Sequence, residues 1–229
     1  MDIILMAALV PPLILLVLVY RLDKIEREPL PLIIKLFILG GLSTFLAAII
    51  ENVLAYMLEG TMDPNSTLFR AINYFLVVGW TEEGCKHMAL KRSSWKHPAF
   101  DYRFDAVVYS VTAALGFAAV ENISYVINLG LTVAPYRALT AIPGHCIFGI
   151  YMGYYYGMAK HCERMGERVK QSRYQFLSIF MPMLLHGFYD FCATSRSSTM
   201  SLVFLGYIVL LDILSIRAIR RFSRNDRLV

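Results

Sequence analysis

The residues best suited to chemistry lie in the stretch Val78-Gly-Trp-Thr-Glu-Glu-Gly-Cys-Lys-His-Met-Ala-Leu90, which carries Glu82, Glu83 and Lys86 inside an apolar run. Adjacent carboxylates at membrane depth are costly when they are ionised and unpaired, so a chain that keeps them there usually uses them. Lys86 follows Glu82 by four residues on the same helix face, which lets its ammonium neutralise that carboxylate. Glu83 points about 100° away and is predicted to face another group.

Two later apolar segments carry further polar residues. Glu121 and Asn122 follow a run of small residues that lets a neighbouring helix approach closely. His145 begins a series with Gly149 and Gly153 on one helix face, a pattern that packs against another helix and points the imidazole into the bundle. A polar helix contact or a satisfied core histidine is the structural alternative, but the nearness of these residues to the acidic pair favours function.

The next apolar segment places His186 and Asp190 one helical turn apart. A carboxylate in that position can fix the tautomer of an imidazole, as it does behind a metal ligand or in a catalytic dyad. Alternatively both groups face one shared centre, or they form a stabilising pair within the helix. Glu51, near the outer end of an earlier segment, either joins these groups or lies at the membrane interface.

Carboxylates and two histidines in a membrane core admit three chemistries. A carboxylate can act as general base on water while histidine and lysine stabilise the oxyanion. In a metal version, two histidines and a carboxylate hold Zn²⁺ and a second glutamate is the base. The third is ion or proton translocation through a polar relay. The spacing matches neither HExxH nor a Ser/His/Asp order, so it does not choose among them.

The composition is that of a membrane protein with one domain over residues 1–229. The 229 residues are 57% hydrophobic and only 17% charged, with a mean hydropathy of +0.54. The net charge of +5 comes from basic residues in short loops, so it does not predict a nucleic-acid partner. The four scattered cysteines support neither a disulfide framework nor a cysteine-metal site.

Seven apolar segments are long enough to span a bilayer, which predicts an all-α protein of seven transmembrane helices with a catalytic core at about residues 68–193. Most of the 22 basic residues fall in alternate loops and in the tail, which places the N-terminus outside and the C-terminus in the cytoplasm. The helix rise then puts the polar groups of four segments in one layer, from the midplane to the outer half. The predicted spans are Ile3–Tyr20, Leu32–Met57, Leu68–Leu90, Asp105–Leu129, Arg137–Ala159, Tyr174–Ala193 and Leu202–Ile219.

Five ordered motifs resemble those of the PrsW family of bacterial intramembrane proteases, which is distantly similar to the CAAX-processing and bacteriocin-immunity membrane proteases. They are Thr81-Glu-Glu-Gly-Cys-Lys86, Phe104-Asp-Ala-Val-Val-Tyr109, Phe117-Ala-Ala-Val-Glu-Asn122, Gly144-His-Cys-Ile-Phe-Gly149 and His186-Gly-Phe-Tyr-Asp190. The early loop Tyr20-Arg-Leu-Asp-Lys-Ile-Glu-Arg-Glu-Pro29 is also similar to the family's first loop. The resemblance runs from about residue 7 to residue 195.

The resemblance implies cleavage of a single-pass anti-sigma factor on its extracytoplasmic side, a site-1 type cut that frees an extracytoplasmic-function sigma factor. It places the protein in the bacterial plasma membrane, with the lipid bilayer and this substrate as partners. Zn²⁺ stays open as a cofactor, with His145, His186 and Glu121 as candidate ligands. The catalytic residues carried over are Glu82, Glu83, Glu121, His145 and His186, with Lys86, Asn122 and Asp190 in support.

We therefore expect Glu82 or Glu83 to be the general base and the other carboxylate to pair with Lys86 or to position substrate. The two histidines polarise the scissile carbonyl or bind a metal, and Asp190 orients His186. One alternative is a proton-coupled transporter or binding module that uses the same polar layer, although the two halves lack the repeats typical of transporters. Another is a CAAX-type protease acting near the cytoplasmic face, against which the depth of the layer argues.

Overall fold

The computed structural model describes residues 2–195 and 197–229, and this part of the chain contains helices and no regular strand. The all-α prediction is therefore confirmed. The elements are α1 Asp2–Tyr20, α2 Leu30–Glu59, α3 Thr67–Ile72, a π-helical segment Asn73–Gly79, α4 Trp80–Ser94, α5 Arg103–Leu129, α6 Val133–Leu139, α7 Ala141–Arg164, α8 Arg168–Ala193 and α9 Ser198–Arg224.

Five of these helices, α1, α2, α5, α8 and α9, are long and apolar enough to cross a membrane. The chain is thus a multi-pass membrane protein. The two other predicted spans correspond to the continuous run from α3 to α4 and to α7, where charged residues, glycines and tyrosines lower the hydropathy. The count of seven spans and the orientation of the termini stay predictions.

The predicted fifth span begins later than the sequence suggested. Arg137 lies on the short helix α6, and α7 starts only at Ala141, after Thr140 has left helical geometry with φ −125° and ψ −67°. Pro143 is then in the first turn of α7, where a missing backbone N–H costs least. The break frees Arg137 to turn back toward the bundle.

Helix α5 lies at the centre of the bundle and packs against α1, α2, α4 and α7. Its close contacts depend on glycine, because a Cβ at Gly40 of α2 would lie 2.0 Å from the Ala113 carbonyl oxygen. A Cβ at Gly153 of α7 would likewise lie 2.5 Å from the Val107 Cα. The prediction that the glycine face of α7 packs against another helix is confirmed, and that helix is α5.

The π-helical segment directly precedes the acidic motif. Its last turn closes with the Trp80 N–H donating to the Phe75 carbonyl, five residues back. π-helical turns inside longer helices occur frequently at functional sites. Gly187 of α8 packs on this segment, where a Cβ would lie 2.6 Å from the Phe75 ring. The π-helical segment and the glycine together bring α8, with His186, against α4.

Candidate active site

Lys86 lies at the centre of the buried polar network. Its Nζ lies 2.9 Å from Glu82 Oε2, 2.7 Å from Glu83 Oε1 and 3.1 Å from His145 Nδ1. The Phe117 ring covers the ammonium at 4.1 Å, and the side chain is fully buried. The i, i+4 contact with Glu82 is the one that the spacing predicts, and the ammonium also reaches Glu83, because positions i+3 and i+4 share a helix face.

The hydrogen bonds of His145 define its tautomer. An ammonium can only donate, so Nδ1 of His145 must accept from Lys86. The proton of this neutral imidazole is therefore on Nε2, which donates to Glu121 Oε2 at 2.8 Å. His145 on α7 thus connects the lysine of α4 to the glutamate of α5.

His186 has a different environment, because a carboxylate faces each of its ring nitrogens. Nδ1 lies 2.9 Å from Glu83 Oε1, and Nε2 lies 3.3 Å from Asp190 Oδ2. Ionised carboxylates only accept hydrogen bonds, so this arrangement favours a proton on both nitrogens and a positively charged ring. The structure places Asp190 where the i, i+4 spacing predicts it, one turn from His186 and within 3.3 Å of its ring.

Arg137 is a site residue that sequence reasoning missed. Its guanidinium donates to Glu121 Oε2 at 2.9 Å and to Asn122 Oδ1 at 2.8 Å, and it stacks on the Tyr125 ring at 3.9 Å. Asn122 in turn donates to the Ala8 carbonyl of α1 at 3.1 Å. The available signal is an arginine at the start of the fifth predicted span, on the side of the membrane that is poor in basic residues.

Glu51 of α2 is half-buried. It lies one turn after Ala47, which packs against Cys85 of α4 and Phe117 of α5. Its Oε1 is buried without a hydrogen-bond partner in the described part of the chain.

A cavity of about 190 Å³ leads to the two histidines. It is lined by residues of α5, α6, α7 and α8 at the end of the bundle where α5 and α8 finish and α7 begins. His145, His186, Glu121, Asp190 and Arg137 are among its lining residues, whereas Glu82 and Glu83 lie one contact deeper. The cavity is at the end opposite the loops that carry most of the basic residues.

The donor atoms around Lys86 also fit a metal ion. Glu82, Glu83 and His145 are buried, and each offers a ligand atom within 4.8 Å of the others. Two carboxylates and an imidazole are donors that zinc accepts. The set differs from the predicted one and shares only His145 with it, because His186 has carboxylates at both nitrogens. The Lys86 ammonium contacts the same three side chains, so a metal bound there would take its place.

The family model described as PrsW family intramembrane metalloprotease matches residues 28–216. A protein of Oceanobacillus iheyensis named Protease PrsW is 35% identical over 223 residues, which cover 97% of this chain and 97% of that protein. Proteins with the same name from Clostridioides difficile and Bacillus subtilis are 31% and 34% identical, over 97% and 84% of this chain and 92% and 83% of their own. No solved structure matches the chain.

Proposed function

Since the chain belongs to the PrsW family of intramembrane metalloproteases and is an intramembrane protease, we propose that it cleaves its substrate at the network around Lys86. One observation carries this assignment: three helices bring Glu82, Glu83, His145 and His186 together around Lys86, directly beneath a polar cavity. Family membership favours proteolysis over the transporter and CAAX-type alternatives.

In this proposal the Glu82–Glu83 pair activates the attacking water. Glu82 is the member with room for it, because its side chain is 9% exposed whereas that of Glu83 is fully buried. The Lys86 ammonium balances the charge of the two carboxylates, and an unprotonated carboxylate can accept a proton from water. Glu83 holds Lys86 and His186 in place, so that the water loses its proton to Glu82 beside a fixed positive charge.

The histidines and Arg137 act on the peptide that enters the cavity. All three side chains line it, and an N–H donor that turned from its carboxylate partner to a developing oxyanion would stabilise the tetrahedral intermediate. His186 carries protons on both nitrogens and can give one to the departing amide nitrogen, which balances the proton that Glu82 takes from water. A metal held by Glu82, Glu83 and His145 would supply Lewis acidity toward water and the carbonyl.

We further propose that the substrate is a single-pass anti-sigma factor in the bacterial plasma membrane. The cut falls on its extracytoplasmic side, because the cavity opens at the end opposite the basic loops, which the positive-inside rule assigns to the cytoplasm. This site-1 type cut begins the release of an extracytoplasmic-function sigma factor in a stress response.

Replacing the carboxylates with isosteric amides tests the assignment. We expect Glu82→Gln and Glu83→Gln each to lower cleavage of a co-reconstituted substrate by roughly 10²–10⁴-fold, because a proton acceptor or its fixed partner is lost. Glu59→Gln, an exposed change at the end of α2, is the matched control and should cleave normally. Membrane insertion is measured in parallel. Normal cleavage by both inserted variants would exclude the pair from catalysis.

Metal dependence is tested on the purified protein by metal analysis before and after chelation. The family description and the donor set predict that cleavage is lost on chelation and returns with Zn²⁺. Zinc binding can also be measured independently of cleavage. The purified wild-type protein should retain zinc, whereas His145→Ala should lose it. Full cleavage by the metal-free protein would instead mean that the carboxylates activate water directly and the histidines act on the oxyanion.

A further inference from the structure

A second cluster of buried carboxylates lies at the opposite end of the bundle from the active-site cavity. Asp23 and Glu28 come from the connection between α1 and α2, and Asp105 comes from the first turn of α5. All three are buried, and each offers a ligand atom within 4.8 Å of the others. The motifs Tyr20–Pro29 and Phe104–Tyr109 supply these residues, and the proteolytic site gives neither motif a role.

Each of these carboxylates keeps one buried oxygen without a hydrogen-bond partner in the described part of the chain. The atoms are Asp23 Oδ2, Glu28 Oε1 and Asp105 Oδ1. The second oxygen is used in at least two of them: Asp105 Oδ2 accepts the Tyr102 backbone N–H at 2.7 Å, and Glu28 Oε2 accepts the Tyr109 hydroxyl. Oxygens so deeply buried need a proton or a cation, because unpaired polar atoms away from water are costly.

Basic side chains do not supply the missing positive charge. Among residues 2–195 and 197–229, no lysine, arginine or histidine forms an ion pair with any of the three carboxylates. Burial and the charge of Asp226 raise the pKa of Asp23 to about 6, and burial raises the pKa of Glu28 to about 7. At neutral pH Asp23 is therefore mostly ionised and Glu28 about half so, and a bound cation would compete with the protons that this buried cluster otherwise holds.

We propose that Asp23, Glu28 and Asp105 bind a hard divalent cation, Mg²⁺ or Ca²⁺, which ties the α1–α2 connection to the start of α5. Carboxylate oxygens are the ligands that these ions prefer. Two ligands on opposite sides of a calcium ion, each at about 2.4 Å, lie about 4.8 Å apart, which the cluster allows. The site also stabilises the tail, since Asp226 accepts the Phe104 N–H at 2.9 Å beside Asp105.

The first test is thermal unfolding of the full chain in detergent, stripped of metal and titrated with Mg²⁺ or Ca²⁺ at pH 7.5. We expect a saturable rise in Tm on the order of 5 °C once the cation exceeds its dissociation constant about a hundredfold. Glu26→Gln should show the same cation-dependent rise in Tm as the wild type, since the Glu26 carboxylate lies in the same connection but is exposed. The rise should be absent from Glu28→Gln, whose amide still accepts from Tyr109, and from Asp23→Asn.

The active site is a second place where a divalent cation could bind, so Glu83→Gln serves as a further control. The cation-dependent rise in Tm should persist in this variant, because Glu83 is far from the cluster along the bundle. A wild-type Tm that neither cation changes would overturn the proposal. So would a rise that survives in both Glu28→Gln and Asp23→Asn, or one that Glu83→Gln alone removes.

The pH dependence separates a bound cation from protons shared among the carboxyl groups. The folded pKa values of Asp23 and Glu28 are raised, so the metal-free protein should lose stability as the pH rises from about 4 to about 7. Cation binding needs the ionised form, so the rise in Tm should be larger at pH 8 than at pH 5.5. A Tm that is equal with and without cation across this range would mean that the cluster only shares protons.

Discussion

Lys86 is fully buried, and its ammonium is the cation that the two adjacent glutamates share. Replacing it with methionine preserves the length of the side chain but leaves Glu82 and Glu83 as buried charges without their partner. Removing one member of such a group costs about 3–5 kcal/mol. We expect Lys86→Met to lower the free energy of unfolding by about that amount and to abolish cleavage, as measured by denaturant unfolding in detergent and by product formation.

A double variant separates the two effects of Lys86. In Lys86→Met with Glu83→Gln, one of the stranded charges is gone, so part of the lost stability should return. Cleavage should not return, because the fixed positive charge beside Glu82 is still missing. If the double variant were less stable than Lys86→Met, Lys86 would not be acting as the counter-charge of Glu83.

The residues of the network were predictable from the sequence to the extent that each one interrupts an apolar run. Glu83, His145 and His186 stand out because charged and imidazole groups are rare at membrane depth. Arg137 could not be found in this way, because it stands at the start of a predicted span, next to a connecting loop, where arginine is common. The sharing of Lys86 between two glutamates depends on its side-chain conformation, which spacing does not determine.

At the scale of the helices, the close approach of α7 to α5 decides where His145 lies. A Cβ at Gly153 would meet the Val107 Cα at 2.5 Å and the Ala106 carbonyl oxygen at 2.6 Å, and backbone atoms cannot move aside cheaply. We expect Gly153→Ala to lower the free energy of unfolding by about 1–3 kcal/mol, the usual cost of overpacking. Cleavage should fall too, since α7 carries His145.

Gly206 of α9 provides the matched control for this change. A Cβ there would meet nothing within 4 Å, and alanine is the better helix former. Gly206→Ala should therefore leave unfolding and cleavage unchanged or make the protein slightly more stable. Equal losses in both variants would mean that the helix contact at Gly153 has no special role.

The helices themselves were largely predictable, because long apolar runs define them: the predicted spans fall on helical segments of the structure, except that the fifth also crosses the break at Thr140. Two features of the helices could not be predicted from the sequence. The π-helical segment Asn73–Gly79 leaves no trace in hydropathy, since its side chains are as apolar as those of an ordinary helix. The break at Thr140 separates two helical stretches without any polar run to mark it.

At the scale of the whole molecule, the orientation in the membrane decides which side of a substrate the cavity can reach. The basic loops predict a cytoplasmic C-terminus, and the cavity lies at the other end of the bundle. Thr194 lines this cavity and is exposed, whereas all four native cysteines are buried. A cysteine introduced there therefore reports which side of the membrane the cavity faces.

We expect Thr194→Cys in intact cells to react with a membrane-impermeant thiol reagent, because the cavity mouth would face the outside. Arg224→Cys at the end of α9 is the matched control, exposed at the opposite end of the bundle, and should react only after the cells are opened. The reversed pattern would mean that the protein has the opposite orientation in the membrane. The cavity would then face the cytoplasm, and a cut on the extracytoplasmic side of the substrate would be excluded although the protease chemistry of the network would still stand.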